Sequence, residues 1–362
     1  MGRERSRRSR ATPLRAAIAR LFVAGIPETA LDDATRALHA EIPFGGVVLF
    51  RHNAAEPRAM RALTTAIHRL DRALPPLVAI DHEGGRVHRL SPPFTHFPAA
   101  AEVAAHGVGA VHAVATSMAR ELAACDLDLT FAPVLDVASN PSNPIIGDRA
   151  FASDPERAAT LALAAFRATR AVGLVTCGKH FPGHGDTAAD SHLELPVVER
   201  SRRELMRTEL VPFARASRAG VPMLMTAHVL YPALDAEHPA TLSRAILTGL
   251  LRRRLGYRGV ICSDDLEMRA ITDHYGPGDA AVAALGAGAD LLLYCHRQDD
   301  LRAGVAAVER ALREGRLAPE RIADAHRRVL ALIRWRARHR RLLPLSVVGT
   351  RAHARLNTSL RA

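Results

Sequence analysis

Residues 173–196 read GLVTCGKHFPGHGDTAADSHLELP. The stretch opens as a short apolar, β-rich run and turns abruptly polar at Lys179 and His180. Just before it, ERAATLALAAFRATRAVG starts at Glu156 and ends on Gly173. That segment has the composition of a helix, and Gly173 is the residue expected at its C-cap. A strand that is apolar along its whole length suits a sheet covered on both faces, the habit of parallel sheets.

Working outward, the same unit recurs. RLFVAG (from Arg20), GGVVLF (from Gly45), PLVAID (from Pro76) and LDLTFAPV (from Leu127) precede it. PMLMTAHV (from Pro222), GVICSDD (from Gly259) and ADLLLYC (from Ala289) follow it, making eight runs in all. The segments between them read as helices, for example PRAMRALTTAIHRL from Pro57 and RIADAHRRVLALIRW over 321–335, which is expected to be the last helix. Eight strand–helix units in one chain predict a single (β/α)8 TIM-type barrel of the α/β class, with an open doubly wound sheet as the alternative. We place the barrel domain at 15–343, a basic disordered arm at 1–14, and a tail at 344–362 that lacks periodicity and is expected to be loose. No second domain is visible.

The composition narrows the function. The net charge is +12, yet no nucleic-acid motif and no Arg/aromatic interleaving appears, so no nucleic-acid partner is expected. The basic clusters RERSRRSR near the N-terminus and RWRARHRR at 334–341 read as a solvated arm and the wet side of a helix. Cys125, Cys177, Cys262 and Cys295 have no metal-ligand or CxxC spacing, and three lie in apolar runs, as buried free thiols would. No apolar run is long enough to span a bilayer, and Arg20 interrupts the one N-terminal segment that resembles an export signal. The expectation is a cytoplasmic monomer with no stable membrane association.

Four of the eight runs end in charged or imidazole groups: AIDHEGGRVHRL, CGKHFPGHGD, TAHV and CSDDLEM. In a barrel of this kind the chemistry sits at the C-terminal ends of the strands. Of the 49 lysine and arginine residues only Lys179 is lysine, and it lies in one of these ends. A compact ammonium fits a tight polar pocket that a planar guanidinium fork does not. In the seventh run Asp265 is the expected N-cap of the next helix, which leaves Asp264 to face the barrel mouth. Segment 179–192 supplies His180, His184, His192, Asp186 and Asp190, but without the spacing of a metal site on a regular element, so no metal and no cofactor are expected. In DSH, Asp190 stands two residues from His192, where a carboxylate can orient an imidazole.

At these residues the chain resembles the glycoside hydrolase family 3 enzymes, and within them the single-domain β-N-acetylglucosaminidases that trim cell-wall fragments. The resemblance runs from about residue 21 to 335. It is carried by AIDHEGGRVHRL, FAPVLDVASNPSNPIIGDRAF, KHFPGHGDTAADSH, TAHV and SDDLEM, which follow one another along the chain in that family's order. It implies that Asp264 is the nucleophile and His192 the general acid/base, with Asp190 as its partner. Asp81, Arg89, Arg149, Lys179 and His180 would hold the terminal sugar, with His228 close by. The substrate implied is a carbohydrate: peptidoglycan or muropeptide fragments ending in β-linked N-acetylglucosamine, cut with retention through a glycosyl-aspartate. His82 and Ala152 depart from the residues common in that family, Gln and Gly. Alternatives on the same fold are a phosphorylase, with phosphate as acceptor, and a β-glucosidase. A non-enzymatic sugar-binding protein is the reading from another class.

Overall fold

The computed structural model describes residues 13–53, 56–191 and 193–361. Its strands are β1 (Phe22–Gly25), β2 (Gly46–Leu49), β3 (Leu77–Ile80), β4 (His82–Gly84), β5 (Val87–His88), β6 (Leu129–Thr130), β7 (Val175–Phe181), β8 (Met223–Thr226), β9 (Val260–Asp265) and β10 (Leu291–Tyr294). Eight of them close into a barrel in the order β1-β10-β9-β8-β7-β6-β3-β2, every pairing parallel. Each of the eight apolar runs supplies one barrel strand. The (β/α)8 barrel expected from the sequence is therefore the fold, and the open sheet is not. The remaining strands, β4 and β5, form a small antiparallel hairpin that hangs from the end of β3.

Both faces of the barrel wall are buried, which is why its strands carry almost no polar residues until they reach the mouth. With few aromatics available, the outer layer packs through alanine. The helices Val108–Ala124 and Pro155–Val172 meet through Val111, Val114 and Ala115 on one side and Leu161, Ala164, Ala165 and Ala168 on the other. The second of these helices ends as expected, with Gly173 at φ 99°. All four cysteines are free and buried. Among the described residues, no helix is long and apolar enough to cross a membrane.

Three expectations need correction. Residues 13 and 14, placed in the basic arm, belong to a helix, Pro13–Ala19, while residues 1–12 lie outside the described residues. The helix expected to be last spans Pro319–His339 and is followed by a 3-10 turn, Leu345–Val347, and a helix, Arg351–Ser359. This tail is docked, not loose. Buried Glu121 accepts from Gly349 N at 3.1 Å and His353 Nδ1 at 2.7 Å, and also receives the amide and hydroxyl of Thr95. A polar hub of this kind leaves no hydrophobic period in the sequence. The cluster at 334–341 is likewise not wholly solvated. Arg336 is 2% exposed, with Nε 2.9 Å from Asp128 Oδ1, and Arg340 pairs with Asp126.

Candidate active site

The C-terminal ends of the strands surround a cavity of about 210 Å3, lined among others by Asp81, Arg89, Arg149, Lys179, His180, His184 and Asp264. Five residues assigned to sugar binding from the sequence thus meet the expected nucleophile in one place. They come from β3 and its hairpin, the turn Gly147–Arg149, β7 and β9.

A four-residue charge cluster forms one wall. Lys179 is 3% exposed, and its Nζ lies 2.7 Å from Asp81 Oδ1 and 2.6 Å from Glu83 Oε1. Arg149 grips Glu83 with both forks of its guanidinium, Nε to Oε2 and Nη2 to Oε1, each 2.8 Å. Burial acts to raise the pKa of Glu83, but Arg149 and Lys179 outweigh it and hold the carboxyl well below the usual range. Burial also acts to lower the pKa of Lys179, and Asp81 and Glu83 reverse that, so the ammonium stays charged. Arg89 approaches the other oxygen of Asp81 more loosely, at 3.8 Å. Asp81 therefore reaches the cavity as an oriented carboxylate, partly exposed and fixed from behind.

A second cluster positions the imidazoles. His180 Nδ1 lies 2.6 Å from Oδ2 of fully buried Asp136, whose other oxygen takes the backbone N–H of His184 at 2.7 Å. A proton on Nδ1 is donated to that carboxylate, which fixes the ring's orientation. Burial opposes ionisation of Asp136, yet His180 and the amide of His184 keep its pKa below the ordinary value. The loop after β7 turns back at Gly183, with φ 134°, and passes so close to the preceding loop that a Cβ on Gly185 would sit 1.6 Å from Val137 O. These are the physical roles of the two glycines in PGHGD. Asn143 ties the two loops together. Its amide nitrogen lies within hydrogen-bonding range of the carbonyls of His184 and Gly185 and of Thr187 Oγ1. His184 in turn meets Thr187 and Ser191.

Asp264 sits near the end of β9, partly exposed to the cavity. Burial acts to raise its pKa; His228, His180, the amide of Asp265 and Lys179 hold it below the ordinary value. The result is an ionised carboxylate in a desolvated, cation-rich site, the condition a carboxylate nucleophile requires. His228 is buried behind it, between Thr241 Oγ1 at 2.7 Å and Asp265 O at 2.8 Å.

Asp265 is not a helix N-cap. The next helix, Arg269–Thr272, starts later, with Met268 at the cap position, and Asp265 Oδ1 instead accepts from Glu267 N at 3.1 Å. Burial, followed by the charges of Glu267 and Asp264, pushes its pKa up to about 7. Asp190 is partly buried, and its carbonyl accepts from Leu193 N and Glu194 N in a turn. His192, expected as the acid/base, lies outside the described residues. Among the described residues, no group of three or more His, Cys, Asp or Glu side chains is arranged to hold a metal ion.

Glu83, Asp136 and Asn143 were not anticipated as site residues. Glu83 did leave a signal. It stands two positions from Asp81, and in extended chain such residues face the same side. Asp136 and Asn143 left none beyond their place in FAPVLDVASNPSNPIIGDRAF.

Comparison with known proteins places this geometry. The model of the glycosyl hydrolase family 3 N-terminal domain matches residues 14–332. A β-hexosaminidase of Alkalilimnicola ehrlichii is 41% identical over 334 residues, which cover 88% of this chain and 94% of that one. A β-hexosaminidase of Neisseria meningitidis serogroup C is 43% identical over 269 residues, covering 70% and 72%. Among solved structures, a family 3 β-N-acetylglucosaminidase from Paenibacillus superposes with TM-score 0.92 at 38% identity, over 97% of this chain and 68% of that one. NagZ from Neisseria gonorrhoeae, in complex with N-trifluoroacetyl-D-glucosamine, superposes with TM-score 0.77 at 33% identity, over 94% and 96%.

Proposed function

The chain belongs to glycosyl hydrolase family 3 and is a glycoside hydrolase, and we propose that it removes terminal β-linked N-acetylglucosamine from cell-wall fragments with retention of configuration. Similarity to β-hexosaminidases over most of both chains supports the sugar. The finer substrate, a peptidoglycan or muropeptide fragment met in the cytoplasm, rests on the sequence resemblance.

In this reading Asp81, braced by Lys179 and Arg89, accepts hydrogen bonds from the hydroxyls of the terminal ring. Lys179, Arg149 and His180 line the same end of the cavity and complete the grip. Asp264 attacks the anomeric carbon, and the bond from that carbon to the leaving oxygen breaks. His192, assigned as acid/base by resemblance and partnered by Asp190, gives its proton to the departing oxygen. It then takes a proton from water, whose oxygen displaces the aspartyl ester and regenerates the Asp264 carboxylate. An imidazole near its ordinary pKa suits both halves of that cycle.

The observation that carries the proposal is the Asp264 carboxyl lining the same cavity as Asp81, Lys179 and Arg149, which Glu83 ties together from behind. The test is turnover of nitrophenyl β-glycosides of N-acetylglucosamine and of glucose, each with and without inorganic phosphate. Free N-acetylglucosamine released at a phosphate-independent rate supports the proposal. A sugar 1-phosphate as product replaces it with a phosphorylase, and preferred cleavage of the glucoside replaces the sugar.

A further inference from the structure

The opposite end of the barrel carries a set of guanidinium groups that its carboxylates do not balance. A groove of about 760 Å3 opens where the chain enters β8 and β9, beside Pro222 and Gly259. Its walls are the end of the helix Pro155–Val172, the end of the π-type helix Ala245–Arg254 and one face of the helix Pro319–His339. From these and the adjoining loop come Arg170, Arg252, Arg253, Arg258, Arg327 and Arg328.

Two carboxylates serve the cluster. Asp290 pairs with Arg252, with Arg321 at 2.5 Å and with Arg328 at 3.2 Å. Asp324 pairs with Arg321 at 3.4 Å and again with Arg327 and Arg328. Four cations thus share two anions. Arg253 and Arg258 are exposed and have no ion pair among the described residues. Arg170 is held only over the rings of Phe166 and Trp335, at 5.8 and 5.7 Å.

The chain is rich in arginine throughout, so the number alone carries no argument; the sharing does. Pairings such as Arg20 with Asp71 and Arg215 with Glu156 give one guanidinium one carboxylate, whereas here four guanidiniums draw on Asp290 and Asp324. Here burial holds the Arg252 guanidinium below its ordinary pKa, and Arg328 and Arg321 push the same way against Asp290. The Nε atoms of Arg252 and Arg321 are buried without a hydrogen-bond partner.

We propose that this groove is an anion site, distinct from the sugar cavity, for a small phosphate-bearing molecule such as a phosphate monoester or diphosphate. A multiply charged anion offsets several guanidiniums at once, and their planar forks match phosphate oxygens two at a time. The groove recognises the charged group and not an aromatic base. Its one tryptophan ring, Trp335, is already stacked on His339 at 4.5 Å and approached by Arg170.

The test is thermal unfolding of the full chain in inorganic pyrophosphate, against sodium chloride of equal ionic strength, for the wild type and for the double variant Arg253→Ser, Arg258→Ser. Both side chains are exposed and uncommitted, so the variant keeps its fold and its glycosidase activity, which is assayed in parallel. Saturating pyrophosphate is expected to raise the wild-type Tm by roughly 3 °C or more, and the variant's by less than half as much. No rise, or an equal rise in both proteins, overturns the site. Co-sedimentation with phosphatidylglycerol vesicles that is lost in the variant, without any pyrophosphate effect, also overturns the small-molecule assignment and makes the groove a membrane-facing surface.

Discussion

Lys179 Nζ stands 2.6 Å from Glu83 Oε1, and the same carboxylate is clamped from its other side by Arg149. Glu83 is thus the counter-ion of two cations that line the candidate active-site cavity. Glu83→Gln removes that charge and leaves Arg149 buried without an anion. Breaking a buried pair from one side costs about 3–5 kcal/mol. We expect a loss of that order in urea unfolding, together with a fall in kcat/KM of at least about 100-fold as Lys179 and Arg149 shift. A variant with wild-type stability and activity would show that Glu83 does not hold the cluster.

Lys179→Arg tests why the chain's one lysine is here. The ammonium is 3% exposed and sits between Asp81 and Glu83, with Arg149 already filling the far side of Glu83. A guanidinium keeps the charge but needs more width. Overpacking of this kind costs about 1–3 kcal/mol, and it displaces Asp81. We expect KM for the N-acetylglucosaminide to rise and kcat to fall while the protein remains folded by circular dichroism. Unchanged kinetics would mean that charge alone matters at this position.

Stability should depend on pH through His68, which does not line the candidate active-site cavity. Its Nε2 is 2.7 Å from Asp128 Oδ2 and its Nδ1 is 3.3 Å from Asp126 Oδ2. Burial opposes the charged ring, but the two carboxylates win and raise its pKa from 6.5 to about 9. A raised histidine contributes stability that is fully present below its unfolded pKa and is lost as pH climbs through the folded one. The wild type should therefore lose about 3 kcal/mol between pH 6.5 and 9 from this group. His68→Asn should be less stable at pH 6.5 and flatter across that window. Parallel urea midpoints for the two proteins from pH 6.5 to 9 would refute the assignment.

The barrel was legible in the sequence because its wall is buried on both faces. Runs such as LLLY at β10 or LVAI at β3 stay apolar until the mouth, so each run marked a strand and the polar ends pointed to the candidate site. What escaped were residues whose meaning lies in a partner far along the chain. Glu83 meets Arg149 across 66 positions, and His180 meets Asp136 across 44. Periodicity reports which face a residue takes, not which loop it will touch. The helix Arg351–Ser359 escaped for a related reason. It is anchored by a hydrogen bond from His353 to Glu121, 232 positions away, and its only apolar contacts are Leu356 and Leu360, too few to make a visible period.

The catalytic assignment is separated into its two halves by leaving-group chemistry. Asp264 is kept ionised by His228, His180 and Lys179 despite burial, so it should remain reactive down to pH values below the usual carboxylate range. Asp264→Asn keeps nearly the same shape and removes the proposed nucleophile. We expect it to fold normally and to lose kcat by at least about 1000-fold on every glycoside, whatever the aglycone. His192→Ala should behave differently. A nitrophenolate leaves without help from an acid, whereas a sugar alkoxide needs a proton. The loss in glycosylation rate should therefore be small on dinitrophenyl N-acetylglucosaminide and large on an N-acetylglucosamine disaccharide, measured as kcat/KM. Equal losses on the two substrates would remove His192 from the proton-donor role while leaving Asp264 in place. Substantial turnover by Asp264→Asn would move the nucleophile elsewhere in the cavity.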